Sequence, residues 1–369
     1  MNKKLSALLA IFLVSVFSFT SCNKKNNESK DKKEVKKVEK KQEVKKAETK
    51  EAKKAEKKEV KKEETKAVAS SGKLDLSYFP EKAVMVGSFD VKAFLNIKDL
   101  EPVYKDLKKE AEKNGIDLNK ITFISYYLNV EDLSKEPNDG AVLISGFKFS
   151  EDLVKKIGVK YKKEKYSDVD ILIDEEKSTC IAVIGNDTIM GSIPSVKKMI
   201  DVKKGKIKSL AKSESAKEFN NMIEKSKDAA FRIIVVNNKL GQEQLKNMAK
   251  GQGAMIAEFL NNFKSALFSV TITKDAFKFA VKFHSSKAGV DQAMAIAQPQ
   301  LAMMTQPNSP ILGMAQPMLG KEGSEILAKV LKTLQLKKNN DYLCATIETK
   351  FEYWKKAPAI LENAAKNMK

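Results

Sequence analysis

The chain has 369 residues, of which 31% are charged, and its 68 basic residues against 48 acidic ones give a formal net charge of +20. This length suffices for two or three ordinary domains with a substantial core. Almost all of the positive charge is lysine, because Arg232 is the single arginine. Nucleic-acid recognition relies heavily on the planar guanidinium fork, so we expect no nucleic-acid partner despite the high pI.

The N-terminus has the layout of an export signal. Two lysines are followed by the apolar stretch Leu5–Phe19 and then by Thr20-Ser21-Cys22. The stretch is too short to cross a bilayer and has the length of a signal-peptide core. A small residue directly before a cysteine resembles the lipobox of bacterial lipoproteins, in the looser form found in spirochaetes. The resemblance implies that residues 1–21 are removed and that Cys22 is lipidated.

Residues 22–72 follow as a low-complexity stalk rich in lysine and glutamate. Residues 23–66 contain 19 Lys against 11 Asp plus Glu, and no large apolar side chain that could be buried. Such a segment is either disordered or a single charged helix, with a reach of roughly 40 Å as coil and 75 Å as helix. We expect a spacer that can also contact anionic lipid or cell-wall polymers.

These features predict a protein of the cell envelope, lipid-anchored through Cys22 to the outer membrane in preference to the inner one. The body would lie in the periplasm or at the cell surface. No second stretch of the chain is apolar over 18 residues, so we expect no membrane span.

The body is predicted as α+β, in two related halves with antiparallel sheets covered by helices. In the first half, residues 73–210, alternation and turn signals predict a strand, a helical region ending at Gly115, two strands, a short helix, four strands and a final helix. The second half, residues 211–369, repeats the order of strand, helical region, strand, strand and helix. That order is typical of a split βαβ unit used twice. Ser215 and Glu218 form a capping-box pattern between the halves.

The chain offers little for catalysis or metal binding. His284 is the only histidine, which excludes sites with several histidines, and we expect it on the solvated face of its strand. Asp168, Asp170 and Asp174 alternate along a strand without the spacing of a calcium loop. We therefore predict a non-enzymatic protein without cofactor or metal. Cys180 and Cys344 lie in apolar runs, and the sequence leaves open whether they form a disulfide.

The least ordinary part of the body is the Met-rich segment, Ala293–Leu319, which carries no charged residue. Filling of an irregular core is the favoured explanation. An adaptable apolar ligand surface is the alternative, and copper binding is disfavoured because no His or Cys is near. If the segment fills the core, we expect an envelope protein that binds or presents an unknown partner. If it forms an apolar ligand surface, we expect a carrier or chaperone for an apolar ligand. The methionines concerned are Met294, Met303, Met304, Met314 and Met318.

Overall fold

A computed structural model describes residues 74–129, 140–156, 161–174, 176, 178–237, 262–306 and 309–367. The predicted signal peptide, Cys22 and the stalk lie outside these residues. So does most of the helical region predicted in the second half from Gln242 to about Phe263. At its predicted end, Asn262 is helical and Phe263 begins a strand.

The body is built on one continuous antiparallel sheet of twelve strands. Their order is β11-β12-β10-β9-β8-β1-β2-β3-β7-β6-β5-β4. Every neighbouring pair is antiparallel. The strands are β1 Ala83–Asp90, β2 Phe123–Asn129, β3 Ala141–Ser145, β4 Lys162–Tyr166, β5 Val169–Asp174, β6 Thr179–Ile184, β7 Asp187–Ser192, β8 Ala229–Val236, β9 Phe263–Ile272, β10 Ala276–Ser285, β11 Gln335–Asn339 and β12 Tyr342–Lys350.

The α+β prediction is confirmed, but the split βαβ detail is not. A split unit places another strand between the two strands joined by its helix. Here β1 and β2 flank the first helical region and pair directly with each other. The two halves meet where β1 pairs with β8, so they share one sheet instead of forming two.

Eight α-helices are described, and they cover both faces of the sheet. The bounds are α1 Val91–Leu95, α2 Glu101–Lys113, α3 Glu151–Lys156, α4 Ile193–Lys203, α5 Ala216–Glu224, α6 Lys287–Met304, α7 Pro310–Leu331 and α8 Phe351–Asn367. Single-turn 3₁₀ helices occupy Leu76–Tyr78, Lys98–Leu100 and Leu210–Lys212.

The main core lies between one sheet face and helices α4 and α5. Val86, Tyr127 and Ile234 are register partners on adjacent strands and are almost fully buried. Helix α4 contributes Met199 and helix α5 contributes Met222, both at 0% exposure. Burying large apolar side chains of this kind stabilises the fold by roughly 1.5–3 kcal/mol each. The core therefore spans both halves and joins them.

The opposite face is covered by other helices. In the second half, the ring of Phe277 packs edge-on against Phe351 at 4.9 Å and Trp354 at 5.5 Å, which holds α8 on the sheet. Helix α6 lies beside it, with Val290 buried against Leu343 of β12. In the first half, a smaller cluster of apolar residues performs the same role; its buried members are Val91, Ile121, Ile144, Phe147 and Leu153.

The structure decides the predicted capping box and the disulfide that the sequence left open. The capping-box prediction is wrong, because the Ser215 side chain makes no cap hydrogen bond and the Glu218 carboxylate bonds to His284. Cys180 and Cys344 are both free thiols. Their strands, β6 and β12, are eight steps apart in the sheet. At about 4.8 Å per step this separation is far beyond disulfide reach.

Candidate functional site

The Met-rich segment forms the end of α6 and the beginning of α7; its residues 307 and 308 are outside the described chain. Ser286 begins α6, and its hydroxyl accepts a hydrogen bond from Gly289 N at 3.1 Å. Ser309 begins α7 in the same way, accepting from Ile311 N at 3.3 Å, with Pro310 in the first turn. Serine caps and an early proline are the usual helix-start residues, which explains why so uncharged a segment becomes two helices.

Only the first turns of α6 are firmly packed. Its buried residues are Gly289, Val290 and Ala293, and Met294 packs partly buried on the cluster around Leu343. Beyond Met294 no residue of the helix is fully buried. The exposed residues there are Ala295, Gln298, Pro299, Gln300, Ala302 and Met303.

Helix α7 divides into an exposed and a packed part. Gly320 has φ 70° and ψ −178°, a conformation that side chains disfavour, and it kinks the helix. The buried residues of α7, Gly323 and Leu331, both follow the kink. A Cβ on Gly323 would lie 3.0 Å from the Ile360 side chain, so α7 approaches α8 closely here. The part before the kink, which holds Met314 and Met318, contributes no buried residue.

Three methionines of the segment are therefore surface residues. Met303, Met314 and Met318 are 52%, 66% and 51% exposed, and no other large apolar side chain of the described residues is classed as exposed. The favoured core explanation is wrong for these three. The core explanation holds partly for Met294, which is half-buried. Met304 is also half-buried, so it is neither a core residue nor a fully exposed one. Large apolar side chains exposed along a segment without charges are a candidate surface for an apolar ligand.

A second cluster surrounds His284, and the prediction that this residue is solvated is wrong. His284 is 9% exposed, and its Nδ1 lies 2.6 Å from Glu218 Oε1. The Ser265 hydroxyl donates to the same oxygen. The imidazole stacks on the Tyr342 ring at 4.5 Å. The Tyr342 hydroxyl in turn accepts a hydrogen bond from Asn221 Nδ2 at 2.6 Å.

This cluster ties α5 to the sheet and lacks the arrangement of a catalytic triad. In a triad the histidine lies between the nucleophile and the acid, so that it can take the proton. Here the Glu218 carboxylate lies between Ser265 and His284. The alternation of β10 gave no sign of it, because Glu218 comes from a helix distant in sequence.

The acidic residues do not form a metal site. Asp168 lies in the turn before β5 with φ 62°, Asp170 pairs with Lys163 at 3.2 Å, and Asp174 is buried. Across the described ranges, no group of three His, Cys, Asp or Glu residues has the geometry to hold a metal ion.

One cleft of about 310 Å³ lies beside α2 and was not foreseen from the sequence. Its lining is mostly polar, and the Tyr104 hydroxyl is occupied by donating to Leu95 O at 2.7 Å. The remaining lining residues of the cleft are Asn96, Lys98, Glu101, Lys105, Lys108 and Asn119.

No protein-family model matches the chain, and no curated protein is similar to it. Among solved structures, crystal forms III, I and IV of TP0453 are similar at 11%, 10% and 11% identity. The matches cover 76%, 79% and 79% of this chain and 95%, 99% and 98% of the other, with TM-scores of 0.41, 0.40 and 0.42. A likeness at this level assigns no activity. In the described residues, no helix is long and apolar enough to cross a bilayer.

Proposed function

We propose that this chain is a lipid-anchored protein of the bacterial cell envelope with a non-enzymatic role, and that its body binds an apolar ligand at the Met-rich segment. The observation that carries the proposal is the exposure of Met303, Met314 and Met318 within residues 293–319, a segment that contains no charged residue. Methionine suits such a surface, because its unbranched, polarizable side chain adapts to ligands of different shape.

The cost of leaving these side chains in water supports a binding role over a structural one. Each half-exposed methionine forgoes part of the roughly 1.5–3 kcal/mol that full burial contributes. A protein whose surface is otherwise charged has many residues that would cost less at these positions. A ligand that covers the three side chains recovers that free energy in the bound state.

The anchor supplies the location. In the proposal, lipid on Cys22 and the stalk of residues 22–72 hold the body within tens of ångströms of a membrane, the outer one in preference to the inner. The lysine excess of the stalk favours contact with anionic lipid or cell-wall polymers. Labelled palmitate should enter the protein in a bacterial host that processes lipoproteins. Label that persists in the Cys22→Ala protein would refute the anchor.

Ligand binding is tested with Nile red, an uncharged apolar dye that the lysine-rich surface does not attract. The full chain should bind it saturably in the native state. A variant with Met303, Met314 and Met318 all changed to Gln keeps side-chain length but adds polar groups, so its affinity should fall on the order of tenfold or more.

The matched control changes the same three residues to Leu, which retains the apolar surface and should retain binding. Both variants should melt with the parent protein, since the substituted side chains lie in solvent. Equal dye binding by the Gln and Leu variants would refute the proposed site.

A further inference from the structure

We propose that Met303, Met314 and Met318 form an oxidation site that switches the apolar surface off. This inference rests on the proposed function, whose binding surface it regulates. Of the described residues, the large apolar side chains that are exposed are all methionines. Leucine would give an equally apolar surface, whereas methionine adds a sulfur that takes up oxygen.

The reaction is an oxygen transfer from a peroxide. A lone pair of the thioether sulfur attacks one peroxide oxygen, so that an S–O bond forms while the O–O bond breaks. The sulfur loses two electrons, and one thioether and one hydrogen peroxide become one sulfoxide and one water. A dithiol reductant reverses the step by becoming a disulfide, and the oxygen leaves as water.

Exposure determines which methionines react. The three surface methionines are open to a small solute in at least half of their area, while Met199 and Met222 are fully enclosed in the main core at 0% exposure. Peroxide must reach sulfur before it reacts, so the surface group should be converted while the core group persists. The protein thus carries its own internal controls.

Oxidation would change the surface and leave the fold intact. A sulfoxide is polar and chiral, so it no longer offers the apolar contact of a thioether. The same change in the core would leave an unpaired polar group among apolar neighbours. Because the three reactive residues lie outside the core, the body should stay folded while its affinity for an apolar ligand falls.

The test treats the full chain with graded hydrogen peroxide, maps sulfoxides by peptide mass spectrometry and titrates each sample with Nile red. Met303, Met314 and Met318 should gain oxygen first, and dye affinity should fall on the order of tenfold as they do so. Peroxide should not change the dye affinity of the variant with Leu at these three positions, whatever its affinity before treatment, because leucine has no sulfur to oxidise. A protein with Met199→Leu and Met222→Leu should respond to peroxide like the parent.

Two results would overturn the inference: oxidation of the core methionines in step with the surface ones, or undiminished dye binding by protein whose three surface methionines are fully oxidised. Failure of the untreated protein to bind dye is a separate outcome. It would refute the proposed function and the switching role together, and the order of sulfoxide formation would still decide whether the oxidation site exists.

Discussion

Arg232, the only arginine of the chain, lies buried at the centre of the sheet, where β8 pairs with β1. Its cross-strand neighbours on the two sides are Ser88 and Ser269, whose small side chains leave room for the guanidinium. One nitrogen, Nη2, donates to Ala229 O at 2.8 Å. Burial lowers the pKa of Arg232, and the nearby carboxylate of Asp90 opposes that shift.

Arg232→Met should destabilise the body, although methionine fills much of the same volume. Asp90 is 0% exposed, and the register of β1 with β8 makes it a diagonal neighbour of Arg232. Removing one partner of a direct buried ion pair costs about 3–5 kcal/mol, and we expect the lower end because these two charges interact diagonally across the sheet. Asp90 also caps α1 by accepting from Ala93 N at 2.8 Å. Asparagine can keep that bond without the charge.

The free energy of unfolding is measured by urea denaturation followed by far-ultraviolet circular dichroism. Arg232→Met alone should lose about 3 kcal/mol, and adding Asp90→Asn should recover about 1–3 kcal/mol of it. Asp90→Asn alone serves as the control for the cap. A loss below about 1 kcal/mol for Arg232→Met, or no recovery in the double variant, would refute the argument from buried charge.

Three further changes test the contributions of Gly87, Tyr126 and the N-terminal residues to stability. A Cβ on Gly87 would lie 2.2 Å from the Tyr126 ring, so Gly87→Ala should cost about 1–3 kcal/mol in thermal or urea denaturation, and less when Tyr126 is Leu. Burial raises the pKa of Tyr126 from 10.0 to about 12. Because the folded pKa is the higher one, its stabilising effect is complete below pH 10 and is lost as the pH rises towards 12, so Tyr126→Phe should flatten the fall in stability over that interval. A chain beginning at Gly72 retains the buried Leu74 and should melt with the full chain; a drop of several degrees would show that residues 23–71 pack on the body.

Local elements were largely predictable from the sequence, because they depend on nearby residues. Strand β5, Val169–Asp174, is one of the four strands predicted after the short helix, and the Ser150 hydroxyl caps that helix, α3, by accepting from Leu153 N at 3.1 Å. The alternation of β10 also holds in the structure, because Phe277 lies on the face covered by α8 and His284 on the face covered by α5. These features follow from period, turn and cap chemistry, which the chain carries locally.

Long-range pairing and cross-element contacts were not predictable in the same way. The junction of β1 and β8 joins segments far apart in the sequence, so the pattern suggested two sheets where one forms. His284 was assigned to solvent because its own strand alternates, although α5 brings Glu218 against it. Strand β11 was missed because Gln335–Asn339 is mostly polar, as an edge strand can be.

The composition of the chain identified the Met-rich segment as unusual, but it favoured a buried position for methionines that the structure exposes. The absence of charge singled out residues 293–319, but methionine is compatible with core and surface alike. In α7 the kink at Gly320 decides which methionines are exposed, because it separates the packed end of the helix from its exposed beginning.

Amide hydrogen exchange by mass spectrometry, with and without saturating Nile red, shows directly whether the Met-rich segment binds an apolar ligand. Peptides from the end of α6 and from residues 310–319 should exchange quickly in the free protein, since few buried contacts hold them, and should slow when the dye binds. Peptides from α4, Ile193–Lys203, lie in the main core and should show the same slow exchange in both states. Protection elsewhere in the body with none at the Met-rich segment would contradict the proposed site.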